Sequence, residues 1–173
     1  MIRRRTAFGL AAALIPGAAR AQGAPERAFP ERSPRYIVPF TPAGLTDIMA
    51  RFVAQRLSEI WGKPVVIDNR AGGNALIGAD LAAKAPPDGH TLLAITLTHA
   101  VNATLFPNAP YDFRRDLHTI SLLGSLPLVV VVNAERSPAR DLAGLLRLAA
   151  IQPLNGGSSG NGSPPHLGLE LLR

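Results

Sequence analysis

The sequence contains no cysteine. Disulfides, zinc–thiolate centres and thiol nucleophiles are therefore excluded, while the compartment stays open. After the N-terminal segment no apolar run reaches the ~20 residues that a membrane-spanning helix needs. His90, His99, His118 and His166 are scattered, with no pair at metal-ligand spacing, so neither a metal nor a cofactor is expected. Each reads as a surface or satisfied, partly buried histidine. Gly72-Gly73 with Gly78, and Gly157 with Gly160 and Gly162, lack the spaced three-glycine fingerprint of a dinucleotide site and its acidic residue after a following strand. Ser163 is followed by Pro164-Pro165, so it sits in no Gly-x-Ser-x-Gly elbow, and His166 reads as a helix-start residue rather than a base. No catalytic constellation is expected. Excess positive charge is also scarcer than the formal +6 suggests. Four of the 18 basic residues lie in residues 1–21, which hold no acid; the rest carries 14 basic against 12 acidic residues, a charge of +2. That is no case for a nucleic-acid partner.

What is present begins with an export signal. Residues 1–21 combine a basic start (Arg3, Arg4, Arg5), an apolar stretch from Ala7 to Ile15 and a small-x-small end at Ala19-Arg20-Ala21. This is the three-part layout of a secretory signal, with an apolar stretch too short for a stable anchor. Arg4-Arg5 with Phe8 loosely resembles a twin-arginine signal. Residues 22–34, rich in Pro, Arg and Glu and without periodicity, are expected to form a mobile leader. The 173 residues fit one domain, or one and part of a second, and the apolar share of 47% is ordinary.

The stretch from Ile37 to Gln55 organises the remainder. It reads as a short buried strand, a loop punctuated by Pro39, Pro42 and Gly44, and a helix with Ile48, Met49, Phe52, Val53, Leu57 and Ile60 on one side. Gly44 is expected to give the backbone a tight path towards a ligand, and Thr46 or Asp47 to cap the helix. Such a helix start gathers free N–H groups and the positive end of the dipole, which suits an anion. On its own the stretch is better read as a plain strand-to-helix turn. Val65–Asp68 reads as a second strand. Asn69–Asn74 is a loop, and Ala75–Lys84 is a helix turning Leu76, Ile77 and Leu81 to the sheet. Thr91–Ile95 is a third strand with a hydroxyl-rich exit through Thr96, Thr98 and His99. Ile120–Asn133, centred on Leu126–Val132, is the most strand-like run, of the kind found in sheets covered on both faces. A helix through Leu142–Leu148, a second glycine-rich loop at Asn155–Pro164 and a helix from His166 follow. The alternation predicts an α/β fold with a largely parallel sheet, whose ligand loops lie beyond the C-terminal ends of the strands.

Several motifs in the right order resemble one family, the Bug proteins, substrate-binding components of tripartite tricarboxylate transporters. They are Tyr36-Ile37-Val38-Pro39-Phe40-Thr41-Pro42-Ala43-Gly44-Leu45-Thr46-Asp47, Gly62 through Arg70, Ala83 through Leu93, Pro110-Tyr111-Asp112, Leu128 through Asn133, and Ser158-Ser159-Gly160-Asn161-Gly162-Ser163-Pro164-Pro165-His166-Leu167. The resemblance implies a two-lobed periplasmic-binding-protein (Venus flytrap) fold. Residues 35–124 would form the first lobe and 125–173 the start of an incomplete second. It implies capture of a small organic carboxylate in the periplasm for a membrane permease, without catalysis. By the same transfer Phe40, Pro42, Ala43, Gly44, Thr46 and Asp47 line the first-lobe side, and Thr96, Thr98 and His99 lie near the mouth. Ser158, Ser159, Gly160, Gly162, Ser163 and His166 serve the second lobe, with the two glycine loops facing each other across the cleft. Asp47, being anionic, is better suited to fixing its loop than to touching a carboxylate. Arg70 is the more tempting partner by charge.

The chain departs from the family at Ala43, which replaces the first of two loop glycines, where a methyl crowds a carboxylate or resists a positive φ. Leu45 stands where proline is frequent, and Gln152-Pro153-Leu154 is a shorter connection. Family members also run on for roughly another domain's length, so a chain truncated within its second lobe is expected. Two other readings remain: a non-binding remnant, and a small periplasmic hydrolase dependent on Ser159 or Ser163.

Overall fold

The computed structural model describes residues 29–173. The expected export signal and residues 22–28 of the leader lie outside them. Three strands, β1 (Arg35–Val38), β2 (Val66–Asn69) and β3 (Thr91–Leu93), form a parallel sheet in the order β2-β1-β3. Tyr36 stands opposite Ile67 on one side and Leu92 on the other. Parallel neighbours need crossovers. Helix α1 (Leu45–Trp61) supplies the first and α2 (Leu76–Ala83), entered through a 3₁₀ turn at Gly73–Ala75, the second. Central β1 carries the core. Tyr36 and Val38 share one face and cluster with Ala50, Ala54 and Ala94. Ile37, on the other face, is fully buried. Burial of that one side chain is worth about 1.5–3 kcal/mol.

Helix α1 ends where Gly62 takes φ of 62°, a left-handed stop available to glycine at no steric cost. Ser58 ties the turn beyond it, donating to the Ala54 carbonyl and accepting from Val65 N–H. The helix is the expected one, but its buried face is not. Asp47, Ala50 and Ala54 face inward, whereas Ile48, Phe52 and Ile60 are more than half exposed. The same holds for α2, where Gly78 and Ala79 are buried while Ile77 and Leu81 are exposed. Small residues let the helix axes approach the sheet. A Cβ at Gly78 would fall 2.7 Å from Pro39 Cβ, so nothing larger fits there.

Residues 29–34 differ from the expected mobile leader. Phe29 packs edge-on against Trp61, Lys63 Nζ donates to the Pro30 and Glu31 carbonyls, and Pro34 is fully buried. Glu31 N–H donates to Nε2 of buried His90, a satisfied histidine as expected. Beyond β3 lies an unexpected helix, α3 (Leu97–Leu105). The predicted strand at 120–133 is absent: these residues adopt no regular structure and are exposed throughout. None of the described strands pairs with them, and an unpaired strand leaves its backbone groups to water. Helices α4 (Leu142–Ile151) and α5 (Pro164–Leu171) follow, capped by Asp141 and Ser163 side chains. Among the described residues no helix is long and apolar enough to cross a membrane.

Candidate functional site

The C-terminal ends of β1, β2 and β3 feed three loops that are fastened to one another. In the first loop Ala43 adopts φ of 66° and its N–H donates to Asp47 Oδ2 at 2.9 Å. Asp47 is 2% exposed, and its carboxylate also accepts from Arg51 Nε (2.8 Å) and Asn69 Nδ2 (2.8 Å). Arg51, then Asn69, then the Ala43 N–H hold this carboxyl at about 2, below its ordinary 3.8. Asp47 therefore locks the loop, with both of its oxygens engaged inside it. It does not cap α1: Gly44 is the N-cap residue and receives no side-chain bond. Gly44 has φ of −74° and ψ of 164°, ordinary extended backbone, so its expected conformational licence is unused. The left-handed position belongs to Ala43, whose methyl does not bar it.

The second loop is joined to the first from β2. Asn69 Nδ2 also donates to the Phe40 carbonyl, and Arg70 N–H donates to the Val38 carbonyl. The Arg70 side chain turns away to pair with Asp68 at 2.8 Å, so it is not the carboxylate partner its charge suggested. At the end of this loop Asn74, with φ of 55°, exchanges two hydrogen bonds with Asn102 of α3. Neither asparagine emerges from sequence reasoning. The available signal was Gly72-Gly73-Asn74 itself, since glycine and asparagine are the residues that tolerate left-handed turns.

The third loop becomes the start of α3. His99 is fully buried and its Nδ1 accepts the Thr96 N–H at 3.1 Å. Nδ1 also lies 3.3 Å from the Thr96 carbonyl, and Nε2 has no partner among the described residues. Burial, opposed by the Thr96 backbone contact, pushes the imidazole below its ordinary value. Phe40 of the first loop meets the His99 ring edge-on at 6.1 Å. Thr98, 3% exposed, is buried with it, so two of the three residues expected near the mouth point into the protein, while Thr96 is half-buried. They occupy the inward side of the first turn of α3, where the helix meets the other loops.

The Ser158–Ser163 loop lies against this assembly. Ser158, Ser159 and Gly160 are exposed, while Gly162 and Ser163 are buried. The neighbours of Gly160 and Gly162 are Asn74, Val101 and Leu105, so these glycines pack on the second loop and α3 rather than opposite Phe40–Thr46. Ser163 Oγ accepts from His166 N–H, and His166 Nδ1 accepts from Gly162 N–H. These bonds start a helix; they are not a nucleophile–base pair. Of the first-loop residues, Pro42 and Ala43 are exposed, and Phe40, Gly44 and Thr46 half-buried. Two surface cavities, of about 550 Å³ beside Phe106–Asp116 and about 480 Å³ beside Arg35 and Arg70, contain none of the residues expected to bind ligand.

Residues 49–173 match a family model described as tripartite tricarboxylate transporter family receptor. A UPF0065 protein from the tcbD–tcbE intergenic region of Pseudomonas sp. strain P51 is 42% identical over 98% of this chain and 50% of its own length. Among solved structures, MatC of Rhodopseudomonas palustris with bound malate is 31% identical at a TM-score of 0.69, over 79% of this chain and 47% of that one. The periplasmic binding protein BugD is 26% identical at a TM-score of 0.69, over 83% of this chain and 50% of that one. The chain thus has the periplasmic-binding-protein fold over the matched part and spans about half the length of these relatives.

Proposed function

Since the chain belongs to the tripartite tricarboxylate transporter receptor family, we propose that it is a periplasmic receptor that captures a small organic carboxylate for a membrane permease. The observation that carries this reading is the fastening together of the loops after β1, β2 and β3, with the Ser158–Ser163 loop laid against them. The site residues of this proposal are the exposed or half-buried members of the expected set: Phe40, Pro42, Ala43, Gly44 and Thr46 in the first loop, Thr96 in the third, and Ser158, Ser159, Gly160 and His166. The buried Asp47, Thr98, His99, Gly162 and Ser163 support them. Residues 35–124 are assigned to one lobe and 125–173 to the other. The arginines nearest the loops are committed, Arg51 to Asp47 and Arg70 to Asp68. Charge on the ligand is met by backbone dipoles and hydroxyls instead. Malate, bound by the neighbour MatC, sets the ligand class to test.

The test is a thermal melt of the chain from residue 22 with and without malate, succinate, citrate and aromatic acids. A ligand that binds only the folded state raises the midpoint by mass action, by about 2.7 kcal/mol of stabilisation at a hundredfold excess over Kd. A shift with one class of acid is expected. A cooperative melt that no acid moves, or no cooperative transition at all, overturns the proposal and favours the non-binding reading.

A further inference from the structure

Asn74 and Asn102 form a closed clasp. Asn74 Nδ2 donates to Asn102 Oδ1 at 2.8 Å, and Asn102 Nδ2 donates to the Asn74 carbonyl at 2.7 Å. Asn102 is 1% exposed, so both bonds are shielded from water and costly to leave unmade. The clasp fixes the second loop to α3 and presents Asn74 to the Ser158–Ser163 loop. A Cβ at Gly160 would lie 3.6 Å from Asn74 Oδ1. Gly162 is closer still: its Cβ would lie 2.7 Å from Leu105 Cδ1, 3.1 Å from Val101 Cγ1 and 3.8 Å from Asn74 Nδ2. Both glycines have positive φ, 122° and 70°. Gly157, at the other end of the same loop, has nothing within 4 Å. A Cβ at Gly156, next to it, would meet Leu169 of α5 instead, at 2.9 Å, so the approach to α3 and Asn74 is made by Gly160 and Gly162.

We propose that the Asn74–Asn102 clasp and the Val101–Leu105 groove are a seat that positions the Ser158–Ser163 loop over the C-terminal edge of the sheet. Gly162 sets how deeply the loop enters. This rests on the receptor reading for its functional meaning, because the seated loop is the one that presents Ser158, Ser159 and Gly160 to the ligand. Asn74, Asn102 and Gly162 are positioning residues that need not touch the ligand themselves.

The seat is tested in the acid-free chain by amide hydrogen exchange at Ser163, whose N–H donates to the Gly160 carbonyl at 3.2 Å. Gly162→Ala is expected to speed that exchange roughly ten- to hundredfold by overpacking, and Gly157→Ala to leave it unchanged. The double variant Gly162→Ala with Leu105→Ala keeps the backbone strain of the first and the 3.1 Å contact with Val101 but removes the closest clash, at 2.7 Å, and is expected to recover part of the protection. Asn74→Gly preserves the left-handed backbone and the bond from Asn102 Nδ2 to the residue 74 carbonyl, removes the side-chain half of the clasp, and is expected to speed exchange about tenfold. It serves as the deciding variant if Gly162→Ala does not fold. Unchanged exchange in Gly162→Ala and Asn74→Gly overturns the seat, and so does failure of Leu105→Ala to rescue. Titration of the same acid panel by calorimetry is read separately. Lost protection in a chain that binds none of the acids keeps the seat and sinks the receptor reading, whereas binding of one acid with unaltered exchange does the reverse.

Discussion

Ala43→Gly should stabilise this protein, and the neighbouring glycine should be the dispensable one. Ala43 holds φ of 66°, where an L-residue's Cβ crowds the following carbonyl at a cost of about 1–2 kcal/mol. The loop keeps it there because its N–H is fastened to Asp47 Oδ2 at 2.9 Å. Glycine removes the steric cost but gives the unfolded chain more freedom, about 0.4–1 kcal/mol in the other direction. The difference is a net gain of about 0.5 kcal/mol, or roughly 1–2 °C for a chain of this size. Gly44 is the opposite case. Its φ of −74° suits any residue, and an added Cβ would meet the Thr41 carbonyl at an ordinary 3.6 Å. Gly44→Ala gains about 0.4–1 kcal/mol from the stiffer unfolded chain and loses a comparable amount as a poorer N-cap, so it should be near neutral. Urea unfolding followed by circular dichroism, and by fluorescence of Trp61, the single tryptophan at the end of α1, reads both. The reasoning is refuted if Ala43→Gly destabilises, or if Gly44→Ala costs more than about 1.5 kcal/mol.

Three further outcomes follow from the same loops. The Asp47 carboxyl, held at about 2, contributes stability that is complete above its ordinary 3.8 and is lost as pH falls through the lower value. Asp47→Asn should therefore flatten the acid limb of the urea midpoint in that window, and parallel limbs would contradict the network. His99 is depressed by burial, so its stabilising neutral form is fully populated above 6.5 and destabilises the fold on protonation below it. Its Cε1 proton should titrate below 6.5 by NMR, and a midpoint at or above that value rules out the buried placement. Gly78→Ala should cost about 1–3 kcal/mol in the same urea assay, because the added methyl meets Pro39 and the Arg70 carbonyl at 2.7–3.1 Å and backbone cannot step aside. A neutral result would mean that α2 stands farther from β1.

Local punctuation was legible, and contact was not. Gly62, Asp141 and Ser163 each end or start a helix through chemistry carried by one residue, but the caps expected for α1, Thr46 or Asp47, gave way to Gly44 because the Asp47 carboxylate is taken up by Ala43, Arg51 and Asn69. Which face of a helix is buried depends on what the neighbour allows. Ala50, Ala54 and Gly78 win the inward positions because the sheet is close, which leaves Ile48, Phe52 and Ile77 outside. Helix α3 escaped notice because its buried side is Thr98, His99 and Asn102, an inversion of the apolar periodicity that announces a helix. The polar character is the consequence of packing against hydrogen-bonding loops instead of against the sheet. For the same reason Asn69, Asn74 and Asn102, which hold the candidate site together, carry no signal as single letters. Each acts through a partner 18 to 29 positions away in the chain, a separation that loop closure readily permits.

Leu126–Val132 tests how far composition alone can specify a strand. A helix makes its backbone bonds within itself, but a strand borrows them from a neighbour. The described sheet has the order β2-β1-β3, and the run pairs with neither edge. Val129 is 76% and Val131 81% exposed, while Val130 and Val132, on the alternate side, are 56% and 39% exposed. Neither face is covered, so the valines contribute strand propensity without occupying a strand. Replacing Val129 and Val131 together by lysine should then change the unfolding free energy by no more than about 0.5 kcal/mol, as for surface positions. It should also delay aggregation, because the run joins high β-propensity to an absence of charge. Urea midpoints and light scattering on the two chains decide it. A loss of several kcal/mol would place these valines in a paired, buried strand in solution, and the exposed conformation of 120–133 would have to be abandoned.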